Sequence, residues 1–232
     1  MVQSFRQPEI IEIARREGKV TVERLSEHFG VTLQTIRRDL SELADSGKLE
    51  RVHGGAILPS GTANIGYEER RGLNQAAKVD IARACAAELP ENCSIFLNIG
   101  TTTANILAGN PHCQVIVTGG ALRRSDGGLT GDLTVETIRR FKFDHAVIGC
   151  SALDQEGDIL DFDIQEVGVS RTIIRQSRQV FLVADHAKFQ RNAPARIGSL
   201  SEVDVFFTDR PVPPALQDAC EGWETQVRVC GG

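Results

Sequence analysis

The chain has 232 residues, 41% hydrophobic and 25% charged, globular values that exclude wholesale disorder. That length provides for two domains, or one large one, with a real core. The net charge of −5 is unevenly spread: residues 1–57 carry nine Lys/Arg against nine Asp/Glu, so the acidity belongs to the remainder and no domain is strongly basic.

Helical periodicity begins at once. Ile10, Ile13 and Ala14 form an apolar stripe that Gly18 stops. Thr21 is placed to cap a second helix with Val22, Leu25 and Phe29 inward and Gly30 at its end. Thr32 can cap a third helix, with Ile36, Leu40 and Leu43 inward and Gly47 closing it. Two short helices about a Gly-containing turn make a helix-turn-helix. Strands at 48–52 and 56–58 about Gly54-Gly55 add a β-hairpin, so residues 1–58 read as a winged helix-turn-helix.

Such domains turn the N-terminal end of the third helix into the major groove. Thr32, Leu33, Gln34, Thr35, Arg37 and Arg38 occupy that end here. Gln pairs with adenine, Arg with guanine or phosphate, and hydroxyls with phosphate. Arg51 and His53 on the wing extend the same face. Asp39 beside Arg38 is the candidate for a structural pair that cancels part of its field. The other use of such a unit is protein interaction through a solvated polar face.

Residues 59–75 carry little periodicity and read as a linker before a domain at 76–232. A helix over 76–89 turns Val79, Ala82, Cys85, Ala86 and Leu89 inward. Strand-like runs follow at 94–99, 114–118, 145–149, 179–184, 203–208 and 225–230, with helical patterns at 134–140, 165–176 and 214–220. This alternation predicts a parallel sheet covered on both faces. No apolar run reaches the roughly 18 residues of a membrane span, and the opening MVQSFRQPEI lacks an apolar signal stretch, so the cytoplasm is expected. Cys85, Cys93, Cys113, Cys150, Cys220 and Cys230 form no CxxC pair and read as small buried hydrophobes, with no metal site.

Ligand sites in such sheets lie beyond the carboxyl ends of the strands. Gly100, Thr101, Thr102 and Thr103 follow the first strand, where backbone N–H groups and hydroxyls suit a phosphate; Gly-Thr-Thr is equally an ordinary turn and cap. The loops carrying Asp126 and Gly127, Ser151 and Asp154, Asp161, Asp163 and Glu166, and Lys188 collect at the same edge. The acids can take ligand hydroxyls, and Lys188 or an arginine can help neutralise phosphate. The plainer reading makes Asp163 and Asp132 helix caps and Arg123 and Arg124 surface charge. Neither GxGxxG nor a Walker lysine is present, and no cofactor is expected.

The run TLQTIRRDLSELADSGKLERVHGGA resembles the DNA-binding signature of the DeoR family of bacterial regulators, with Thr35, Ile36, Arg37, Arg38, Asp39, Leu40, Leu43, His53, Gly54, Gly55 and Ala56 at the family's positions. LRRSDGGLTG, ILDFDIQEV and VADHAKFQRNA are similar to the subgroup that represses glycerol-3-phosphate regulons. The resemblance implies a winged helix followed by a parallel-sheet α/β sensor domain akin to ribose-5-phosphate isomerase. It also implies repression at a double-stranded operator, relieved by a small phosphorylated inducer such as glycerol 3-phosphate. One neutral winged helix has little electrostatic hold, so a homodimer or homotetramer is expected, with no membrane partner.

Ser170 stands where the family usually has Lys, and Gly168 where the subgroup usually has Arg. Only residues 100–113 join two apparent strands, so about 20 residues, a helix and a strand, are expected to be absent after Thr103 relative to the family. The competing function is a sugar-phosphate isomerase, with Glu166, Asp154 and Lys188 as its acid–base groups. The isomerases' Lys-Gly-Gly-rich loop is replaced here by Leu160-Asp161-Phe162-Asp163, and a DNA reader is fused in front, so no catalysis is expected.

Overall fold

In the computed structural model, residues 6–17, 19–46, 48–57, 70, 72–103, 106, 118–124 and 126–231 are described. The chain divides into two compact units, Met1–Ala63 and Asn64–Gly232. Most of the expected 59–75 linker, Gly18, Gly47, Cys113 and the expected strand at 114–118 apart from Thr118 lie outside the described residues.

Both threonine caps of the first unit are in place. Thr21 Oγ1 accepts the N–H of Arg24, and Thr32 Oγ1 that of Thr35, each at 3.3 Å. They open α2 (Val22–Phe29) and α3 (Leu33–Asp45), which follow α1 (Gln7–Glu17). Gly30 ends α2 with φ 62°, a left-handed conformation that glycine adopts without steric cost. Ile10, Leu25, Ile36, Leu40 and Leu43 bury their side chains in one core, each contributing about 2 kcal/mol of transfer free energy. Asp39 is structural, but its partner is not Arg38: it is buried and accepts from Arg6 Nε at 2.9 Å, while Arg38 Nε donates to Glu42 at 3.0 Å.

The wing consists of β2 (Glu50–Val52) and β3 (Gly55–Ile57), and β1 (Lys19–Thr21) adds a third antiparallel strand, giving the order β1-β3-β2. Three residues are too few to show a period, so β1 was not visible as a pattern. Its trace in the sequence is Gly55: a Cβ there would stand 1.9 Å from the Val20 carbonyl oxygen. The close approach of β1 therefore requires glycine.

In the second unit, α4 (Gln75–Glu88) precedes a parallel sheet of order β13-β12-β10-β7-β4. Its strands are β4 (Ile95–Leu97), β7 (Phe143–Ile148), β10 (Ser177–Val183), β12 (Val205–Thr208) and β13 (Gln226–Val229). Alternation along them feeds two cores. Ala146, Ile148, Leu182 and Phe206 face α5 (Asp132–Ile138), α6 (Ile164–Arg175) and α7 (Pro214–Gly222). Val147, Phe181, Val183 and Phe207 face α4, which buries Ile81, Ala82 and Cys85; Val79, expected inward, is only half-buried.

Two small antiparallel sheets, unforeseen in the sequence, flank the carboxyl edge. One pairs β5 (Ala121–Leu122) with β6 (Leu129–Thr130). The other has the order β11-β9-β8, from Ala195–Ser199, Asp158–Asp161 and Ala152–Leu153. Cys85, Cys150, Cys220 and Cys230 are buried free thiols as expected, whereas Cys93 is only half-buried.

Gly55→Ala is expected to destabilise the first unit by about 2 kcal/mol, the usual cost of overpacking, because the methyl would displace β1. Thermal unfolding of the variant beside the parent chain checks this; an unchanged transition would contradict the packing.

Candidate functional site

Burial sorts the residues of α3 into two faces. Ile36, Asp39, Leu40 and Leu43 point inward, while Thr32, Leu33, Gln34, Arg37 and Arg38 are exposed and Thr35 is half-buried. The Thr32 and Thr35 hydroxyls lie 3.0 Å apart. Arg38 shares its charge with Glu42, whereas Arg37 makes no salt bridge among the described residues. Arg51 and His53 are exposed on the wing.

In the second unit, the carboxyl ends of β4, β7 and β10 lie side by side. The N–H of Asn98 reaches the Val147 carbonyl at 3.0 Å, so the parallel pairing of β4 with β7 runs up to the loop that carries Gly100–Thr103. Thr102 and Thr103 are buried, and Thr103 Oγ1 donates to Gly100 O at 3.0 Å, so that hydroxyl is spent within its own loop. Asn98 Nδ2 donates to Ser170 Oγ at 2.8 Å, tying β4 to α6 through a fully buried serine.

Arg123 is a hub rather than a surface charge. Its guanidinium binds Asp126 at 2.8 and 2.5 Å, Asp163 at 2.6 Å and also Glu166. Gly127, at φ 77°, shapes the turn that aims it: the N–H of Gly127 reaches Arg123 O at 2.8 Å. Burial works against the Arg123 charge, but the hydrogen bonds it donates to Asp126 and Glu166 outweigh it. Burial likewise opposes the Asp126 charge, and Arg123 wins, holding that carboxyl below its ordinary range. Glu166 is pushed up to about 7, by burial first and then by Asp161, against the pull of Arg123.

Asp163 also caps α6, accepting the Gln165 N–H at 2.9 Å; Asp132 is the first residue of α5, whose cap is Gly131. Buried Asp161 accepts the N–H of Phe162 at 2.7 Å, and the buried Ser151 N–H bonds Leu160 O at 3.0 Å. Asp154 stands apart. It accepts the Asp158 N–H at 2.7 Å in the β8–β9 turn, about three residues, or 10 Å, along β9 from Asp161.

Beyond β10, Asp185 caps a 3-10 turn, His186–Gln190, that buries Lys188. Lys188 forms no salt bridge among the described residues. Burial brings its ammonium down to about 8; Cys150 and Asp185 oppose that fall, and Arg191 and Arg70 add to it. Cys150, buried, is pushed by burial up to about 12. Lys78 joins this end of the site although it did not stand out as a site residue. Its only trace in the sequence is its place, a lysine on the apolar stripe with Ile81, Ala82 and Cys85.

A DeoR-like helix-turn-helix domain matches residues 6–62, and a DeoR C-terminal sensor domain matches 103–210. The glycerol-3-phosphate regulon repressor of Escherichia coli (strain K12) is 38% identical over 252 aligned positions, covering 99% of this chain and 100% of that protein. The chain belongs to the DeoR family. It is a DeoR-type transcriptional repressor with a C-terminal sensor domain. The glycerol-3-phosphate regulon repressor of Haemophilus influenzae is 37% identical across 100% of this DeoR-family chain and 99% of its own. The transcriptional repressor CsqR of E. coli is 30% identical across 97% and 94%.

The 252 aligned positions exceed the 232 residues here, so the E. coli relative carries residues with no counterpart in this DeoR-family chain. The expected shortening after Thr103 falls, Ile106 apart, on residues outside those described. Among solved structures, ribose 5-phosphate isomerase A from Neisseria gonorrhoeae matches 55% of this chain and 56% of its own at 14% identity, with a TM-score of 0.30, too low to carry an argument. Among the described residues no helix is long and apolar enough to cross a membrane.

Because the Glu166 value is raised, its carboxyl contributes stability fully below its ordinary 4.5 and loses that contribution as the pH climbs through about 7. Glu166→Gln is therefore expected to raise the unfolding midpoint relative to the parent at pH 8 and to change it little at pH 5. Equal shifts at both pH values would contradict the burial argument.

Proposed function

We propose that this repressor reads its operator through Thr32, Gln34, Thr35, Arg37 and Arg38 on α3, with Arg51 and His53 on the wing. A small phosphorylated polyol or sugar, glycerol 3-phosphate first among them, releases it by binding at the carboxyl edge of the sensor sheet. Gly100, Thr101, Thr102 and Thr103 receive the phosphate together with Lys188. Asp126, Asp161, Asp163 and Glu166 face the hydroxyl end, with Gly127 and Ser151 shaping the walls. Asp154, held in its own hairpin, lies outside this group.

One observation carries the reading: a buried, unneutralised lysine and a cluster of carboxylates share one sheet edge, a cationic end and an acidic end. A phosphate monoester of a polyol has that polarity. The names of the relatives, glycerol-3-phosphate regulon repressors, support the same ligand class. No catalytic role is proposed. Release requires that the effector bind the DNA-incompetent state more tightly, since equal affinity shifts nothing. Dimers or tetramers on a palindromic or repeated site supply the hold that one neutral reader lacks.

Arg37→Ala is expected to weaken operator binding by about 1–3 kcal/mol and leave the unfolding midpoint unchanged. Fluorescence anisotropy on the natural promoter checks it, and wild-type affinity in the variant would remove α3 from the interface. Glycerol 3-phosphate at about 100 times its dissociation constant should stabilise the chain by about 2.7 kcal/mol and free the operator. Its affinity should fall as the pH rises above about 8, where Lys188 loses its proton. A screen of glycerol and sugar phosphates in which none shifts the melt or frees DNA would refute the site.

A further inference from the structure

The start of α1 grips α3 at two acids one turn apart. Arg6 Nε donates to buried Asp39 Oδ2 at 2.9 Å, and Gln7 Nε2 donates to Glu42 Oε2 at 2.7 Å, across 33 and 35 residues of sequence. Asp39 is buried and serves the fold. Glu42 is exposed, and its second oxygen, Oε1, accepts from Arg38 Nε at 3.0 Å. An exposed ion pair four residues apart on a helix is ordinarily too weak to hold two long side chains in one geometry. Here the carboxylate is also fastened from a second helix, so Arg38 is tied to an anchored partner.

The two arginines of α3 point in different directions. Arg38 is two residues from both Ile36 and Leu40, about 160° around the axis from each, and so faces away from the core. Its side chain remains 81% exposed although it is paired. Arg37 stands on the flank, about 100° from Ile36 and about 60° from Leu40. When such a helix lies in the major groove, the residue opposite the core meets the base edges and the flanking one meets the groove wall.

Pairing through Nε leaves Nη1 and Nη2 of Arg38 without a partner among the described residues, and two such N–H groups match O6 and N7 of guanine. A phosphate also accepts a guanidinium, but it is drawn by net charge, which Glu42 cancels. The guanine edge is uncharged and is bound by aimed hydrogen bonds, which a fixed guanidinium supplies.

We infer that Arg38 reads a guanine in the major groove, with Glu42 and Gln7 as its positioning residues, while Arg37 takes a backbone phosphate. This rests on the operator reading above and names the contact that each arginine makes.

Fluorescence anisotropy of the full chain tests it, on a footprinted fragment of the natural promoter and on duplexes each changed at one base pair, over a range of salt. Arg38→Ala is expected to abolish discrimination at one G·C pair, by about tenfold or more, and to leave the salt dependence unchanged. Arg37→Ala should weaken every duplex alike and flatten the slope of log affinity on log salt by about one per bound protomer. Glu42→Ala should lose discrimination at the same base pair as Arg38→Ala, yet bind unrelated DNA more tightly and with a steeper salt slope, because Arg38 regains its full charge. A merely structural role for Glu42 would weaken unrelated DNA as well. Gln7→Ala should relax the discrimination in part and add nothing to Glu42→Ala. Should Glu42→Ala not fold, Glu42→Gln, which drops the charge and keeps an acceptor, decides by its slope. If Arg38→Ala weakens all duplexes equally, or Glu42→Ala keeps the parent's base preference, the inference falls and the operator reading stands. If neither arginine variant alters affinity, both fall.

Discussion

Arg123 draws Asp126, Asp163 and Glu166 onto one guanidinium, and without that charge three carboxylates would repel one another at the mouth of the sensor sheet. The hairpin of β5 and β6 supplies the arginine and one acid; the capped start of α6 supplies the other two. One side chain thereby joins a short, intrinsically weak hairpin to a helix anchored in the main core. Glu166 pays for its place with a carboxyl held near neutrality. The acidic end of the edge is pre-formed, as the site proposed for a polyol requires.

The opposite end is built on the contrary principle. Lys78 and Lys188 are buried, and burial first, with Arg191 and Arg70 adding to it against the pull of Asp185, lowers both ammonium values. Arg70 Nη2 lies 4.0 Å from Asp126 Oδ2, which sets the Arg70 side chain beside the carboxylate hub.

In the helix-turn-helix unit, the residues that hold the fold differ from those proposed to read DNA. Asp39 and Arg6 fasten α3 to the approach of α1, and the apolar stripe fills the core. Gln34 and Arg37 make no contribution to that core and remain available to bases and phosphates. The unit is electrically neutral overall, so its contact with DNA depends on where its charges stand.

The three helices of the reader, its caps, its wing and the alternation of strands and helices were all legible in the sequence. They follow from period, capping chemistry and glycine placement, which act over a few residues. The edge that gathers the loops was legible for the same reason, since parallel strands bring their carboxyl ends together. The short strands β1, β5, β6, β8, β9 and β11 were not, because two to five residues show no period of their own. Nor was the pairing of charges. The sequence places Asp126, Asp163, Glu166 and Lys188 at one sheet edge without showing which charges pair, and Arg70 and Lys78 do not stand out in it. Which of them are buried, and which face one another, depends on contacts as far apart in sequence as the 111 residues separating Asn74 from Asp185. Local chemistry determined the elements; only the packed sheet edge decided which charges must share a site, because desolvation and Coulomb forces act on distance in space and not on distance along the chain.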